Sequence, residues 1–169
     1  GLGVGTWLFV AVDKEVTGAI LVADQIREET KKVVAEIKKM GLKVGMITGD
    51  NKKTAEAVAR ELGIEEILAE VLPSAKAEEI KKLQGQGEKI VMVGDGINDA
   101  PSLVQADLGI AMGGATDIAK EAGQIILMQP NLEKVVEAIK TSRLTFKTIK
   151  QNLFWAFFYN IVAIPLAVA

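Results

Sequence analysis

The sequence predicts an α/β fold, in which helices flank a mostly parallel sheet, from two patterns. Short apolar runs rich in Val, Ile and Met alternate with amphipathic segments of helical length along most of the chain. Glycines such as Gly41 and Gly63 follow the helical segments, as expected where a helix ends. With 169 residues, the chain is long enough for one packed domain and short for two.

The composition excludes several classes of function. The chain has no Cys and no His, which rules out disulfides, thiolate metal sites and a histidine general base within it. A net charge of −2 provides no basic field, so we expect no nucleic-acid partner. Any chemistry must therefore depend on Asp, Glu, Lys, Thr, backbone amides and a hard cation.

The elements follow in a regular order. A hairpin is predicted first, with strands over 6–13 and 16–24 around the turn Lys14-Glu15. The later strands are predicted over 42–47, 65–71, 89–93, 107–112 and 124–128, and the helices over 27–40, 52–62, 75–84 (with Ser74 as N-cap), 98–105, 117–122 and from 131 onward. Ligands of parallel sheets bind at the carboxyl ends of the strands. The turns at 48–51 and 94–99 both fall at that edge.

The C-terminal segment differs from the rest of the sequence. No charged residue occurs after Lys150, and the apolar run to Ala169 is slightly shorter than the roughly 20 residues that span a bilayer. Arg143, Lys147 and Lys150 precede it, as basic residues do on the cytoplasmic side of membrane helices. We expect a transmembrane helix to begin near 147; the alternative is a buried helix of a soluble domain.

The turn Thr48-Gly49-Asp50-Asn51 follows a predicted strand and begins a helix. A hydroxyl, a glycine amide and the first helical N–H groups together form a cradle for an anion, to which the helix dipole adds partial positive charge. The alternative is a plain strand–helix turn with Asp50 as N-cap.

Lys76 lies just inside the predicted helix that follows Pro73, at the same edge of the sheet. Its ammonium group would neutralise a phosphoryl oxygen there. A lysine near the start of a helix is more often simply solvated, and this alternative remains open for Lys76 alone.

The run Gly94-Asp95-Gly96-Ile97-Asn98-Asp99 supplies two carboxylates at the end of a buried strand. Gly94 and Gly96 allow a tight turn that holds Asp95 and Asp99 on one side of the loop. Two carboxylates repel each other unless a cation lies between them, and Mg²⁺ accepts one or two carboxylates together with phosphate oxygens. The alternative is a simple Asp-Gly turn.

A phosphate cradle, a lysine and a carboxylate loop on successive strands specify phosphoryl transfer. The motifs ITGDN, VLPSAK, VGDGINDAP, ADLGIAMG and TDIAKEA resemble the phosphorylation domain of P-type ATPases, over essentially the whole chain. The resemblance implies a haloacid-dehalogenase-like Rossmannoid sheet. It also implies three segments: the end of a nucleotide-binding domain (1–23), the phosphorylation domain (24–146) and the start of a membrane helix (147–169).

The same resemblance implies roles for individual residues. Thr48, Gly49 and Asp50 would form the phosphoryl loop, with Lys76 paired to the phosphoryl group. Asp95 would bind Mg²⁺. The remaining implied site residues are Asn98, Asp99, Gly94, Gly96 and Asp24. Asn98 and Asp99 would order the loop and Lys76, and Asp99 would also be a second Mg²⁺ ligand. Gly94 and Gly96 would shape the loop. Asp24 matches an Asp-x-x-Arg motif of the family.

Tyr159-Asn160 lies where copper and silver pumps of this family carry a Tyr-Asn pair that contributes to the site of the transported metal. An amide in an apolar helix is costly without a partner, which favours a functional role for Asn160. The alternative is a hydrogen bond between helices.

The family's nucleophile, the aspartate of Asp-Lys-Thr-Gly-Thr, is absent from the sequence. Asp13-Lys14 looks similar, but the Thr and Gly that follow fall within the next predicted strand, so we interpret Lys14-Glu15 as a hairpin turn at the end of the nucleotide-binding domain. By itself the chain is therefore expected to be inactive.

The resemblance thus implies a segment of a membrane pump that uses ATP and Mg²⁺ to export Cu⁺ or Ag⁺, with residues 1 to about 150 on the cytoplasmic side. Its partners would be the nucleophile strand, the nucleotide-binding and actuator domains, the other membrane helices, and lipid. Two alternatives are a soluble Mg-dependent phosphatase of the haloacid dehalogenase superfamily and a regulatory module without catalysis.

Overall fold

The structure is a computed structural model that describes residues 6–12, 15–22, 26–94, 97–113 and 121–168. The chain divides into two compact units, Gly1–Glu133 and Lys134–Ala169. In chain order the elements are β1 (Thr6–Val12), β2 (Glu15–Val22), α1 (Glu28–Lys39), β3 (Gly45–Ile47), α2 (Lys52–Leu62), β4 (Glu66–Leu68), α3 (Lys76–Gly85), β5 (Val91–Gly94), a 3₁₀ turn (Ile97–Asp99), α4 (Ala100–Gln105), β6 (Leu108–Ala111), β7 (Ile125–Ile126) and α5 (Glu133–Val168). This order confirms the predicted α/β fold. The helix predicted over 117–122 lies mostly outside the described residues.

Strands β1 and β2 form the predicted antiparallel hairpin, with an irregularity in register between Val10 and Ala11. Val12 pairs with Glu15, so that only Asp13 and Lys14, which lie outside the described residues, connect the two strands. The predicted turn Lys14-Glu15 is therefore wrong by one residue, because Glu15 already pairs with Val12 as the first residue of β2, while the predicted hairpin itself is present.

The parallel strands form two separate ladders. Strand β3 pairs with β4, and β5 pairs with β6, which in turn pairs with β7. Among the described residues, β3 and β5 each have a ladder along one edge only, whereas a strand inside a parallel sheet is paired along both. Val91 of β5 is accordingly 49% exposed, although it is an apolar residue of a parallel strand.

Each ladder has a core of its own. Val34 of α1, Ala59 of α2 and the buried Ile64 form one cluster, against which partly buried side chains of β3 and β4 pack. Leu103 of α4 and Ala111 of β6 form the other. Helices α1 and α2 thus support β3, which precedes the 48–51 turn, and β4, which follows α2. Helix α4 supports β5 and β6, the strands before and after the 94–99 turn.

The start of α3 differs from the prediction. The N-cap position is Ala75, no side chain caps the helix, and α3 begins at Lys76. The predicted cap by Ser74 is wrong, because a backbone carbonyl and not a side chain accepts the hydrogen bonds at the start of the helix. The amides of Ala75 and Lys76 donate to the carbonyl of Leu72, at 2.9 and 3.2 Å.

Helix α5 makes up nearly all of the second unit and is 36 residues long. The predicted membrane helix over 147–169 is not confirmed: within the part of the chain that the structure describes, no helix combines the length and the hydropathy needed to cross a membrane.

Candidate functional site

The loop after β3 is held by backbone hydrogen bonds to the segment after β4. The amide of Thr48 donates to the carbonyl of Leu68 at 2.9 Å, and the amide of Val71 donates to the carbonyl of Thr48 at 3.0 Å. Two residues after Thr48, the carbonyl of Asp50 accepts from the amide of Glu70 at 3.0 Å. The β3–β4 ladder thereby continues into the loop and fixes its backbone.

Side chains within this loop bond to one another. The Thr48 hydroxyl donates to Oδ2 of Asp50 at 2.9 Å, and the Asp50 amide donates back to Thr48 Oγ1 at 3.1 Å. The N-cap of α2 is Asn51, whose Oδ1 accepts from the amide of Thr54 at 3.0 Å. Asp50 is therefore not the cap, and the alternative that gave it only this role is wrong. Its carboxylate instead orients the Thr48 hydroxyl beside the exposed Gly49.

Lys76 and Asp99 form an ion pair. Lys76 Nζ lies 2.8 Å from Asp99 Oδ1, and each side chain is only 15% exposed. Lys76 is the first residue of α3 and Asp99 is the last of the 3₁₀ turn, so the pair joins the two elements at the carboxyl end of β5. Limited exposure to water lowers the local dielectric constant and strengthens such a pair.

Gly94, the last residue of β5, lies directly against Asp99. A Cβ atom at position 94 would be 2.8 Å from Cβ and 3.0 Å from Oδ2 of Asp99. Real Cβ atoms essentially never approach other atoms so closely, hence only glycine allows this carboxylate to lie on the end of the strand.

The structure thus brings together Lys76, Asp99 and Gly94, and separately Thr48 with Asp50. Asn98 is exposed in the 3₁₀ turn. The remaining predicted site residues of the first unit, Asp24, Asp95 and Gly96, lie outside the described residues.

Among the described residues of the loop after β5, Asp99 supplies a carboxylate of the kind that a hard cation binds. Within the described ranges, no three acidic residues cluster so as to hold a metal. The Asp99 carboxylate lies at the carboxyl end of β5, four residues after Asp95 in the sequence. Carboxylate and carbonyl oxygens are the ligands that Mg²⁺ prefers, and the chain has no Cys or His that would favour a softer metal at this loop.

Sequence reasoning missed Glu70. It has φ of +58°, a left-handed conformation that is uncommon for residues other than glycine. Its amide holds Asp50, as described above, and its carboxylate accepts from the amide of Lys52 at 3.4 Å, at the start of α2. No local sequence signal indicates this conformation, because glutamate favours right-handed backbone.

Tyr159 and Asn160 belong to the second unit. The Tyr159 side chain is 70% exposed. The Asn160 amide nitrogen donates to the carbonyl of Ala156 at 2.8 Å, one turn earlier in the same helix. The amide thus has a partner within α5, in contrast to the hydrogen bond between helices considered as an alternative.

Comparison with known proteins agrees with the motifs. The chain is 56% identical over 162 residues to a probable copper-exporting P-type ATPase V of Mycobacterium tuberculosis, covering 96% of this chain and 21% of that protein. It is 53% identical to the copper-exporting P-type ATPase of Bacillus subtilis, covering 96% of this chain and 20% of that protein. The chain thus spans about a fifth of the length of these relatives.

Solved structures show the same likeness. A zinc-transporting PIB-type ATPase in its E2.Pi state matches with a TM-score of 0.87 and 36% identity, over 95% of this chain and 26% of that one. The catalytic CPx-ATPase domain CopB-B matches with a TM-score of 0.64 and 33% identity, over 79% of this chain and 53% of that one. These relatives confirm the predicted resemblance to P-type ATPases. A family model described as haloacid dehalogenase-like hydrolase matches residues 6–107, and the chain belongs to that family.

Proposed function

We propose that the chain is part of an ATP-driven pump that exports a heavy-metal cation, Cu⁺ or Ag⁺, through an aspartyl-phosphate. The observation that carries this proposal is the shielded Lys76–Asp99 pair, which lies against Gly94 at the end of a parallel strand. Such a lysine, oriented by a carboxylate, is suited to stabilise a phosphoryl group. The names of the copper-exporting relatives support the choice of cargo.

In this proposal the chain positions the phosphoryl group and does not attack it. An aspartate outside the chain attacks the γ-phosphorus of ATP, the bond to the bridging oxygen of ADP breaks, and ADP leaves. The Thr48 hydroxyl and the Gly49 amide hold the transferred group, and Lys76 neutralises its oxygens. Asp95 and Asp99 would hold Mg²⁺, which would supply further positive charge there.

The open edges of β3 and β5 suggest where the nucleophile enters. Lys43, just before β3, forms an ion pair with Glu88, just before β5. Two long side chains can span about 10 Å, the width that one intervening strand occupies. We place the Asp-Lys-Thr-Gly-Thr strand between β3 and β5, so that its aspartate lies at the edge that carries Thr48 and Lys76.

A phosphorylation experiment tests whether this chain positions the phosphoryl group while an aspartate of another polypeptide attacks it. With labelled ATP and Mg²⁺, the isolated chain is expected to form no acid-stable phosphoprotein. Added to a second polypeptide that carries the Asp-Lys-Thr-Gly-Thr strand and the nucleotide-binding domain, it is expected to support phosphorylation of that polypeptide. Lys76→Met should lower this rate by about 100-fold or more, because a charge aimed at the phosphoryl group is lost.

Lys81→Met is the matched control, since Lys81 is an exposed lysine of the same helix. Its rate should equal that of the unmodified chain. Stoichiometric phosphorylation of the chain alone would contradict the proposal and would make Asp13 the candidate nucleophile. Equal loss in the two variants would show that Lys76 has no special role.

We assign the transported metal to Tyr159 and Asn160, on the resemblance of this pair to the metal site of copper and silver pumps. In a complete pump, Asn160→Ala is expected to lower ATP hydrolysis stimulated by Cu⁺ or Ag⁺. Asn152→Ala, which removes another exposed amide of α5, serves as control. Unchanged stimulation in Asn160→Ala would remove Asn160 from the metal site.

In the pump, we place residues 1 to about 150 on the cytoplasmic side and the apolar half of α5 toward the membrane part, as the basic residues before it favour. The partners in this arrangement are the nucleotide-binding and actuator domains and the other membrane helices.

A further inference from the structure

We propose that one face of α5 binds the headgroups of anionic phospholipids at a membrane surface. The face consists of residues that line one shallow groove along the helix, and we call it the basic-aromatic face: Arg143, Phe146, Lys147, Lys150, Gln151 and Phe154. Lipid recognition of this kind goes beyond ATP-driven transport and needs neither ATP nor a transported metal.

Charge is the first argument. Lys140, Arg143, Lys147 and Lys150 recur every three or four residues and therefore share one side of the helix. No acidic residue follows Glu137 in the sequence. A basic stripe of this kind attracts an anionic surface with roughly 1 kcal/mol per residue, equivalent to about fivefold in affinity.

The direction of Lys150 is the second argument. Its ammonium nitrogen lies 4.7 Å from the centroid of the Phe146 ring, one turn earlier in the helix. The side chain therefore bends toward Lys147 and away from the apolar residues that follow. A lysine at the edge of a lipid layer adopts this direction when its stem contacts apolar groups and its charge stays at the polar level.

Exposed aromatic rings beyond the lysines are the third argument. Phe154 contacts Trp155 and Phe158, with ring centroids 5.5 and 6.0 Å apart, yet Phe154 and Trp155 remain 60% and 61% exposed. Phe154 follows Lys147 by seven residues, about 10 Å along the axis. Trp favours the border between headgroups and hydrocarbon and Phe favours the hydrocarbon itself, so the lysines would then lie among the headgroup phosphates.

These three features together favour a lipid surface over a soluble polyanion such as a phosphopeptide. A phosphopeptide would pair with the lysines but would leave the neighbouring rings in water. An anionic bilayer provides phosphate groups for the lysines and an apolar layer for the rings, at the spacing that α5 presents.

Vesicle flotation of the full chain tests the proposal. Binding is expected to be stronger to vesicles of phosphatidylcholine with phosphatidylglycerol than to phosphatidylcholine alone, and to weaken as salt is raised. Lys147→Gln with Lys150→Gln should lower affinity for the anionic vesicles by about tenfold or more, and leave binding to phosphatidylcholine unchanged. Lys147→Arg with Lys150→Arg should keep the anionic preference, because the charge is retained.

The matched control is Lys32→Gln with Lys81→Gln, which removes the same charge from exposed positions on α1 and α3. This control is expected to bind like the unmodified chain. Equal binding to both vesicle types, or equal losses in the two double variants, would contradict the proposal. Release from vesicles by glycerophosphate or by a phosphopeptide would also contradict it and would indicate a site for a soluble phosphate.

Discussion

At the scale of single residues, Gly94 decides whether the ion pair can form where it does. Gly94→Ala would force its new methyl group into the side chain of Asp99, and either the carboxylate or the end of β5 would have to move. We expect a loss of about 1–3 kcal/mol in the free energy of unfolding, typical of overpacking, measured by urea denaturation.

Gly85→Ala provides the control for this prediction. Gly85 is the last residue of α3, and no atom lies within 4 Å of the Cβ it would gain. Since alanine is the better helix former, the substitution should be neutral or stabilise the chain by up to about 1 kcal/mol. Destabilisation of equal size at both positions would show that the contact with Asp99 is not the cause.

At the scale of elements, Asp107 joins three of them. Its carboxylate accepts from the side-chain amide of Gln84 at 3.0 Å, from the backbone amide of Ile90 at 3.0 Å and from Lys89 Nζ at 2.7 Å. These donors, Gln84 first, hold the pKa of Asp107 well below its usual value. The end of α3 and the approach to β5 are thereby attached to the loop before β6.

Acid should weaken this junction. Because the pKa is lower in the folded chain than in the unfolded one, the contribution to stability is complete above the unfolded value of about 4 and is lost as pH falls toward the folded value. Asp107→Asn should therefore be less stable than the unmodified chain near neutral pH, and the difference should shrink below about pH 4. Urea unfolding across pH measures both; a difference independent of pH would contradict the assignment.

The elements that local residues determine were predictable from the sequence. Helix α2 was predicted over 52–62 and has these bounds, because Asn51 caps its start and Gly63 ends it with φ of +69°. Strand β3 was predicted over 42–47 but covers only Gly45–Ile47, because a strand extends only as far as its partner β4 pairs with it. The division into two ladders depends on which strands meet in space, and no local pattern reports this.

In the candidate site, too, features set by local residues could be predicted and features set by distant contacts could not. The positions of Lys76 and Asp99 at one edge could be predicted, since each follows or ends a recognisable motif at the carboxyl end of a strand. The left-handed conformation of Glu70 could not, because it results from the hydrogen bonds that the loop imposes on an ordinary residue.

At the scale of the whole molecule, the main feature of the first unit is the open edges of β3 and β5 among the described residues. Apolar strands β3 and β5 are only partly buried, and in the part of the chain that the structure describes each has a ladder along one edge. By contrast, β6 is paired along both edges and is mostly buried. A parallel strand normally lies in the interior, so an open edge lined by apolar residues favours the insertion of a further strand.

Hydrogen exchange can detect this insertion. Amides of β5 that do not face β6 are expected to exchange at nearly unprotected rates in the isolated chain, because β5 has ladder partners among the described residues only along its β6 edge. A peptide that carries the Asp-Lys-Thr-Gly-Thr strand should slow their exchange, and that of the open edge of β3, by about tenfold or more. The amides of β6 provide an internal reference, since their partners are already present.

The same peptide with proline in the middle of the strand should give no protection, because proline lacks the amide that a central strand must donate. Protection of β5 without the peptide, or protection by both peptides alike, would show that the nucleophile strand does not enter between β3 and β5.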